Sequence, residues 1–225
     1  ENKLNFRRYR MQSKVILITT VLLIILPAIL FFANDFGEFL FKKRLLYSIF
    51  QSVTTRTAGF NTADLPLMTE AGKSVMILLM LIGGSPSSTA GGMKTTTFAV
   101  LILNAFATFR SREDAGVFGR RFDVQVIKNA ATIAMLYLML FFGGGIIISA
   151  YEGLPVLTCF YEAASAIGTV GLTLGVTPDL HIISRLILIV LMYLGRVGGL
   201  TLIYAVFSAK NNSNARMPME KITVG

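Results

Sequence analysis

Two stretches decide how this sequence is interpreted: TTRTAGFNTADLP at residues 54–66 and GTVGLTLGVTPDL at residues 168–180. Each follows a short apolar segment, LLYSIFQSV (45–53) in the first case and LPVLTCFYEAASAI (154–167) in the second. Each is also flanked on both sides by longer apolar runs. When the Thr-x-Gly triplets are aligned, the order span, short helix, glycine loop, span occurs twice, which indicates an internal repeat.

The apolar runs have the length of membrane spans. Residues 15–33 and 129–151 contain no charged side chain, and a transmembrane helix needs about 20 predominantly apolar residues. The chain is 54% hydrophobic, above the roughly 45–50% of soluble domains. A soluble helical bundle would show polar faces inside these runs, but residues 15–33 contain only two threonines and a proline. The sequence therefore predicts an all-α polytopic membrane protein.

The chain has few residues that could carry out catalysis. It contains one cysteine, Cys159, and one histidine, His181. An internal disulfide, a thiolate metal cluster or a cluster of histidines cannot be assembled from one of each. We therefore expect neither an enzymatic activity nor a covalent cofactor.

The net charge of +9 is concentrated beside the apolar runs, in an arm (1–14), a linker (110–123) and a tail (210–225). The positive-inside rule predicts that these three segments are cytoplasmic in a multi-pass plasma-membrane protein. A basic cluster at residues 42–44 lies on the opposite side and argues against this orientation, but with fewer charges. Nucleic-acid binding is not needed to explain the charge.

The two short apolar segments cannot cross the bilayer. At about 1.5 Å per residue they do not span the hydrocarbon core of about 30 Å. We predict re-entrant pore hairpins at residues 45–62 and 154–175, each with a helix halfway into the membrane and an extended strand back out. Non-helical backbone at that depth has to be buried in protein or face water.

The Thr-x-Gly triplets resemble the TVGYG filter of potassium channels. A dehydrated monovalent cation needs a ring of oxygens in place of its water, and glycine permits the dihedrals that turn successive carbonyls to one axis. The preceding half-helix directs its negative C-terminal dipole at the cation. One such triplet is more often a helix C-cap, but two in matching positions favour a filter. The predicted filter residues are Thr57, Ala58, Gly59, Phe60, Thr169, Val170, Gly171 and Leu172.

Three stretches, RTAGFNT (56–62), GGSPSSTAGGMKTTT (83–97) and GRVGGLT (195–201), together with single-glycine filters, resemble the Trk/Ktr/HKT superfamily of potassium transporters. The likeness covers nearly the whole chain and is greatest to the last two repeats of a Ktr-type membrane subunit. Asn61 and Thr173 stand where a channel filter has its second glycine, which predicts fewer complete ion sites or looser selectivity.

The resemblance implies a function and partners. Two parallel span–pore-hairpin–span repeats would form half of a pseudo-fourfold cation pore, with potassium or sodium at the filter carbonyls and sodium as a candidate coupling ion. The partners would be the other two repeats of a full-length subunit, a second copy in a homodimer, and a cytoplasmic ring of nucleotide-binding regulatory subunits. A natural half-length protein that dimerises is the alternative.

The segment 83–97, named here the gate segment, interrupts the second span of the first unit. In a helix interior each glycine costs about 1 kcal/mol and each proline about 3 kcal/mol, so this segment is predicted to be non-helical. Non-helical backbone at membrane depth must line a cavity, which we place below the filter. In the resembled family this stretch is an intramembrane gate. A simple kinked linker is the alternative, and a phosphate-binding loop is disfavoured because no strand precedes it. The predicted gate residues here are Gly83, Gly84, Ser85, Ser87, Ser88, Thr89, Gly91, Gly92 and Lys94.

Arg196 lies within an apolar run near mid-span, where a charge costs roughly 2.5–3.5 kcal/mol. We predict that it faces the pore, where it repels cations or donates hydrogen bonds to gate-segment carbonyls and holds the gate closed. A structural ion pair with Glu162 is the alternative. Arg56, which precedes the first filter, is expected to point behind it, toward Glu162 or backbone carbonyls.

The predicted repeat units are residues 15–109 and 124–209. Asp64, Glu70 and Asp179 follow the filters on the outer side, where they either concentrate cations or are ordinary solvated acids.

The predicted function is gated uptake of potassium. A secondary transporter with a mid-membrane substrate site is the alternative, although it would need inverted repeats. A structural membrane protein is a third possibility.

Overall fold

The structure is a computed structural model that describes residues 9–112 and 114–198. The described part is mostly helical, with a small antiparallel strand pair and a short 3-10 turn. The helices are α1 Met11–Asn34, α2 Phe41–Thr54, α3 Glu70–Leu81, α4 Thr95–Phe109, α5 Val124–Glu152, α6 Val156–Ile167 and α7 Ile182–Val197; the strands are β1 Gly116–Val117 and β2 Arg120–Arg121, and the 3-10 turn is Thr177–Asp179.

Two of the described helices, α1 and α5, are long and apolar enough to cross a membrane. Helix α5 begins where the Asp123 side chain accepts a hydrogen bond from Gln125 N, at 2.9 Å. It ends at Gly153, whose φ of +68° is the left-handed C-cap conformation that favours glycine. The other apolar helices are shorter, as the predicted hairpins and broken span require.

The repeat is visible in the element order, because α1, α2 and α3 correspond to α5, α6 and α7. The boundaries differ from the prediction in places. Helix α2 begins at Phe41, before the predicted start at residue 45, and α3 begins at Glu70, where the Thr69 side chain accepts from Gly72 N at 3.0 Å. The β1–β2 hairpin in the 110–123 linker was not predicted, because two-residue strands leave no periodic pattern.

The two units interlock through α3, which packs against α6, and α4, which packs against α5. Met76 and Met80 of α3 and Tyr161 and Ile167 of α6 are fully buried at the first of these contacts. A side chain at Gly195 of α7 would overlap the carbonyl oxygen of Ile167. Glycine therefore lets α7 approach the end of α6 closely, as small residues do in membrane helix packing.

In both units a carboxylate at the end of the long helix, α1 or α5, accepts hydrogen bonds from the residue that precedes α3 or α7. In the first unit, Asp35 Oδ1 accepts hydrogen bonds from Thr69 N at 2.9 Å and Thr69 Oγ1 at 2.7 Å. In the second, Glu152 Oε1 accepts from His181 N at 2.9 Å, and Glu152 Oε2 lies 2.8 Å from His181 Nδ1. Asp35 thus lies at the N-terminus of α3 and Glu152 at that of α7, where the macrodipole favours an anion. We call these two contacts the outer clasps.

The basic cluster at residues 42–44 has a structural role. Arg44 Nε donates to the carbonyl of Phe32 at 2.6 Å, and Arg44 Nη2 donates to that of Ala33 at 3.3 Å. Lys43 Nζ lies 4.7 Å from the centre of the Phe39 ring. Arg44 thus satisfies terminal carbonyls of α1, which explains a basic residue here independently of membrane orientation.

Several predicted segments extend beyond the described residues. The tail at 210–225 lies outside them, as do most of the 1–14 arm and the end of the unit predicted at 124–209.

Candidate cation filter and gate

The two predicted pore loops, residues 55–66 after α2 and residues 168–180 after α6, share one backbone pattern. Thr57 and Gly59 have φ values of +62° and +74°, and Thr169 and Gly171 have values of +52° and +90°. The residue between each pair, Ala58 or Val170, has a negative φ. Positive and negative φ therefore alternate in the same order in both loops. A left-handed threonine is costly and persists only where its surroundings impose it.

The N–H groups of these loops turn back toward the short helices. Gly59 N donates to the carbonyl of Thr54 at 3.0 Å, and Val170 N donates to that of Ser165 at 2.9 Å. Gly171 N donates to Ser165 Oγ at 3.2 Å. Within the described residues, the carbonyls of residues 57–59 and 169–172 accept no hydrogen bond. A backbone carbonyl oxygen has two acceptor lone pairs, so these oxygens can coordinate a ligand.

The two loops lie side by side. A side chain at Gly59 would overlap the carbonyl oxygen of Val170, so the first loop packs against the second without space for a methyl group. Their outer residues differ in burial: Phe60 is 72% exposed, whereas Leu172 is 3% exposed.

Glu162 of α6 holds the outer part of the second loop. Its Oε1 accepts from Thr173 Oγ1 and Leu174 N, both at 2.8 Å, and its Oε2 accepts from Thr177 Oγ1 at 2.7 Å. Within the described residues neither Arg56 nor Arg196 forms an ion pair with Glu162. The two alternatives that paired Glu162 with an arginine are therefore wrong.

Backbone hydrogen bonds join the two ends of the gate segment, one after α3 and the other before α4. Gly83 N donates to the carbonyl of Met93 at 2.8 Å, Met93 N to that of Leu81 at 3.0 Å, and Thr95 N to that of Gly84 at 3.1 Å. We call this pairing the neck. Because α4 already begins at Thr95, residues 95–97 are helical and the non-helical part ends sooner than predicted.

Three side chains from different elements contact the gate segment. Arg56 Nη2 donates to the carbonyl of Gly83 at 3.2 Å, which is one of the two predicted positions for this side chain. Arg196 Nη1 donates to the carbonyl of Thr89 through a short hydrogen bond. Gly91 N donates to Thr169 Oγ1 at 3.1 Å. The segment is thus bonded to both pore loops and to α7.

Within the gate segment, Lys94 Nζ donates to the carbonyls of Ser88 and Ala90. Gly91 packs so closely on Thr169 that a side chain there would overlap the threonine, and Gly92 and Ser87 both have φ of +67°. Close approach therefore explains the glycine at position 91, and left-handed backbone explains the glycine at position 92.

A cavity of about 370 Å³ lies between the pore loops and the gate segment. Its lining is mainly polar and includes Thr57 and Thr169 of the predicted filter. Arg56 and Arg196 also line it. The lining residues are Arg56, Thr57, Gly84, Ser85, Ser88, Thr89, Ala90, Thr169 and Arg196.

The acidic residues predicted to follow the filters lie at the surface. Asp64, Glu70 and Asp179 are exposed. The described residues contain no group of three or more His, Cys, Asp or Glu side chains that could hold a metal ion. The outer clasps were missed by sequence reasoning, although an acid at the end of a long apolar run is a signal that could have indicated them.

Comparison with known proteins relates the whole chain to transport proteins. The TrkH family model, described as a cation transport protein, matches residues 3–216. The chain is 37% identical over 97% of its length to the potassium/sodium uptake protein NtpJ of Enterococcus hirae, and 34% identical over 98% to Ktr system potassium uptake protein B of Bacillus subtilis. Each match covers 51% of the relative.

The chain thus spans about half the length of these curated relatives and matches their C-terminal half. The potassium transporter TrkH from Vibrio parahaemolyticus shares the fold, with a TM-score of 0.69 at 22% identity, over 87% of this chain and 44% of that one. The relatives are transport proteins and not enzymes, which agrees with the prediction from the sequence.

Proposed function

Because the chain belongs to the TrkH family of cation transport proteins, we propose that it lines a pathway for potassium uptake through the plasma membrane, and that sodium also uses this pathway. The observation that carries this proposal is the matched geometry of the two pore loops. Both alternate positive and negative φ at the same positions, and within the described residues the carbonyls of residues 57–59 and 169–172 have no protein donor.

In this proposal the carbonyls of Thr57, Ala58 and Gly59, with those of Thr169, Val170, Gly171 and Leu172, replace the water of a dehydrated cation. Phe60 continues the first loop outward. The short helices α2 and α6 end at the loops, so their C-terminal dipoles favour a cation there. Two loops give half of a ring, and we propose that the other oxygens come from two further repeats of a longer subunit.

We further propose that the gate segment closes the inner side of this pathway. It borders the cavity below the filters, and Arg196 contacts its Thr89 carbonyl. Arg196 then acts in two ways: it fixes the segment across the cavity, and its charge repels a cation that leaves the filter. Arg56 and Lys94 add positive charge on the same side.

For orientation and partners, we propose that the basic arm, the 110–123 linker and the tail face the cytoplasm. Arg110, Arg112, Arg120 and Arg121 of the linker are exposed, and such a surface could contact a regulatory ring. Relatives named as parts of a Ktr system support a partner subunit in general terms. Homodimerisation, the nucleotide-binding ring and sodium as a coupling ion remain proposals from the family resemblance.

The filter is tested by uptake of rubidium and sodium into potassium-deficient cells that carry the complete gene. Gly171→Ser places a side chain in open space but forces φ of +90° on an L-residue, at a cost of about 1–2 kcal/mol. We expect the rubidium-to-sodium uptake ratio to fall about tenfold, since 1.4 kcal/mol is a factor of ten. Gly153→Ser is the control, because Gly153 also has positive φ and open space but ends α5. An unchanged ratio in Gly171→Ser would overturn the filter.

The gate is tested with Arg196→Gln, which removes the charge from the contact to Thr89. We expect rubidium uptake to rise, and shortening of the gate segment should have the same effect. Arg185→Gln is the matched control, because Arg185 is also on α7 but donates to the carbonyls of Leu180 and Pro178 at the outer end. Equal uptake in Arg196→Gln and wild type, at equal protein level, would contradict the gate.

A further inference from the structure

We propose that Glu162 is a positioning residue for cation selectivity: its buried carboxylate fixes the outer half of the second pore loop and so sets the spacing of the carbonyls at Gly171 and Leu172. The inference rests on the proposed function, since it assumes that this loop is a filter.

The contacts of Glu162 converge on the residues that follow the filter. Oε1 accepts from Thr173 Oγ1 and Leu174 N, and Oε2 accepts from Thr177 Oγ1. Thr173 comes directly after Leu172, and Thr177 begins the 3-10 turn. A carboxylate that accepts three donors forms charge-assisted hydrogen bonds, which are stronger than neutral ones. The path of the loop from Leu172 outward is therefore defined by one side chain.

The same helix also holds the loop from behind. Ser165, one turn further along α6, accepts from Val170 N with its carbonyl and from Gly171 N with its Oγ. Gly171 thus lies between an attachment at Ser165 and one at Glu162. Because both come from α6, which is buried over most of its length, the distance between the two attachments is set by a rigid element.

Glu162 itself cannot move easily. Its side chain lies in the interior, with the residue 4% exposed. A buried carboxylate is costly without partners, so displacement of the loop would leave a charge without donors. The first loop has no such residue, because alignment of Gly59 with Gly171 places Phe50 opposite Glu162. There the short helix is bonded to the outer loop through Thr54 Oγ1, which donates to the carbonyl of Phe60 at 2.6 Å.

The test compares Glu162→Ala with Glu162→Gln. Glutamine keeps the shape: its carbonyl can accept from Leu174 N while its amide donates to Thr177 Oγ1. Alanine removes all three hydrogen bonds. In the complete protein we expect Glu162→Ala to lower the rubidium-to-sodium uptake ratio about tenfold or more, and Glu162→Gln to keep it within about threefold of wild type.

Thr177→Val supplies an independent variant that folding defects of Glu162→Ala cannot obscure. It removes one donor to Glu162 at a residue outside the filter, and we expect a loss of about threefold in the same ratio. The double variant of Glu162→Ala and Thr177→Val should lower the rubidium-to-sodium uptake ratio no further than Glu162→Ala alone, because the two residues share one interaction. Glu152→Gln is the control: this carboxylate also accepts bonds at the outer surface, but from His181, and its neutralisation should leave the ratio unchanged.

The results separate this inference from the proposed function. If Gly171→Ser alters selectivity while Glu162→Ala and Thr177→Val do not, the positioning role is wrong and the filter stands. If Glu162→Gln falls as far as Glu162→Ala, the charge and not the geometry is responsible, and the inference is overturned. If Gly171→Ser also has no effect, the filter assignment itself fails.

Discussion

The two pore loops have the same backbone pattern but are held by different side chains. The second is attached along its length by Ser165 and Glu162 of α6 and is largely enclosed. The first is attached by Thr54 and, through Arg56, to the gate segment, and its Phe60 is exposed. The alternation of positive and negative φ is therefore the shared feature of the repeat, and different contacts stabilise it in each loop.

The loops also meet the gate segment differently. The first uses an arginine side chain that donates to Gly83, whereas the second uses the hydroxyl of Thr169, which accepts from Gly91 N. Thr169 is itself a proposed filter residue. Under the proposed function, movement of the gate segment would act directly on the second loop through Thr169, and on the first through the neighbouring Arg56.

The largest expected effect is a difference in folding stability between substitutions at Gly59 and at Gly171. Gly59→Ala adds a methyl group that overlaps the Val170 carbonyl and also strains φ, whereas Gly171→Ala only strains φ. We expect the second change to cost about 1–2 kcal/mol and the first to cost a further 1–3 kcal/mol or so. Thermal unfolding of the purified complete protein measures both, and equal midpoints would contradict the close packing of the loops.

A smaller effect is expected at the filter threonines. Thr169→Val leaves Gly91 N without its acceptor, which costs about 1–3 kcal/mol, so the closed gate should weaken and resting rubidium uptake should rise about fivefold or more. Thr57→Val is the matched variant, because Thr57 Oγ1 donates to the carbonyl of Arg56 and, within the described residues, forms no hydrogen bond with the gate segment. A rise of equal size in both variants would argue against a specific link between gate and second loop.

The smallest effect is expected at the outer clasps, where the two units are alike. Asp35→Asn and Glu152→Gln each remove one anion from a helix N-terminus, worth about 0.3–1 kcal/mol. Both should lower the thermal midpoint slightly and by similar amounts, with no change in the rubidium-to-sodium ratio. A change of selectivity in either variant would show that the clasps act on the filter.

The sequence predicted the architecture because its strongest signals are physical requirements of a bilayer. Runs such as residues 15–33 are long enough to span, and the half-length segments before Thr57 and Thr169 are too short. The start of α2 was predicted too late because the basic residues 42–44 interrupt the apolar pattern, whereas in the structure they are helical and Arg44 caps α1. The end of the gate segment was placed too late because Thr95, Thr96 and Thr97 resemble loop residues, but they begin α4.

The partners of individual charges were less predictable. Opposite charge suggested that Glu162 pairs with an arginine, but its acceptors are used by hydroxyl and N–H groups of a loop whose path depends on the folded chain. Arg56 and Arg196 instead use backbone carbonyls of the gate segment. A carbonyl carries no sequence signature, so contacts of this kind are found only from coordinates.

The neck has a consequence for the length of the segment that it closes. Because backbone hydrogen bonds join Gly83 to Met93 and Gly84 to Thr95, residues between these pairs can be added without displacing the ends of α3 and α4. The entropic cost of a longer closed loop grows slowly, by only about 0.6 kcal/mol for each doubling. Insertions between Ser85 and Ala90 should therefore cost little folding stability.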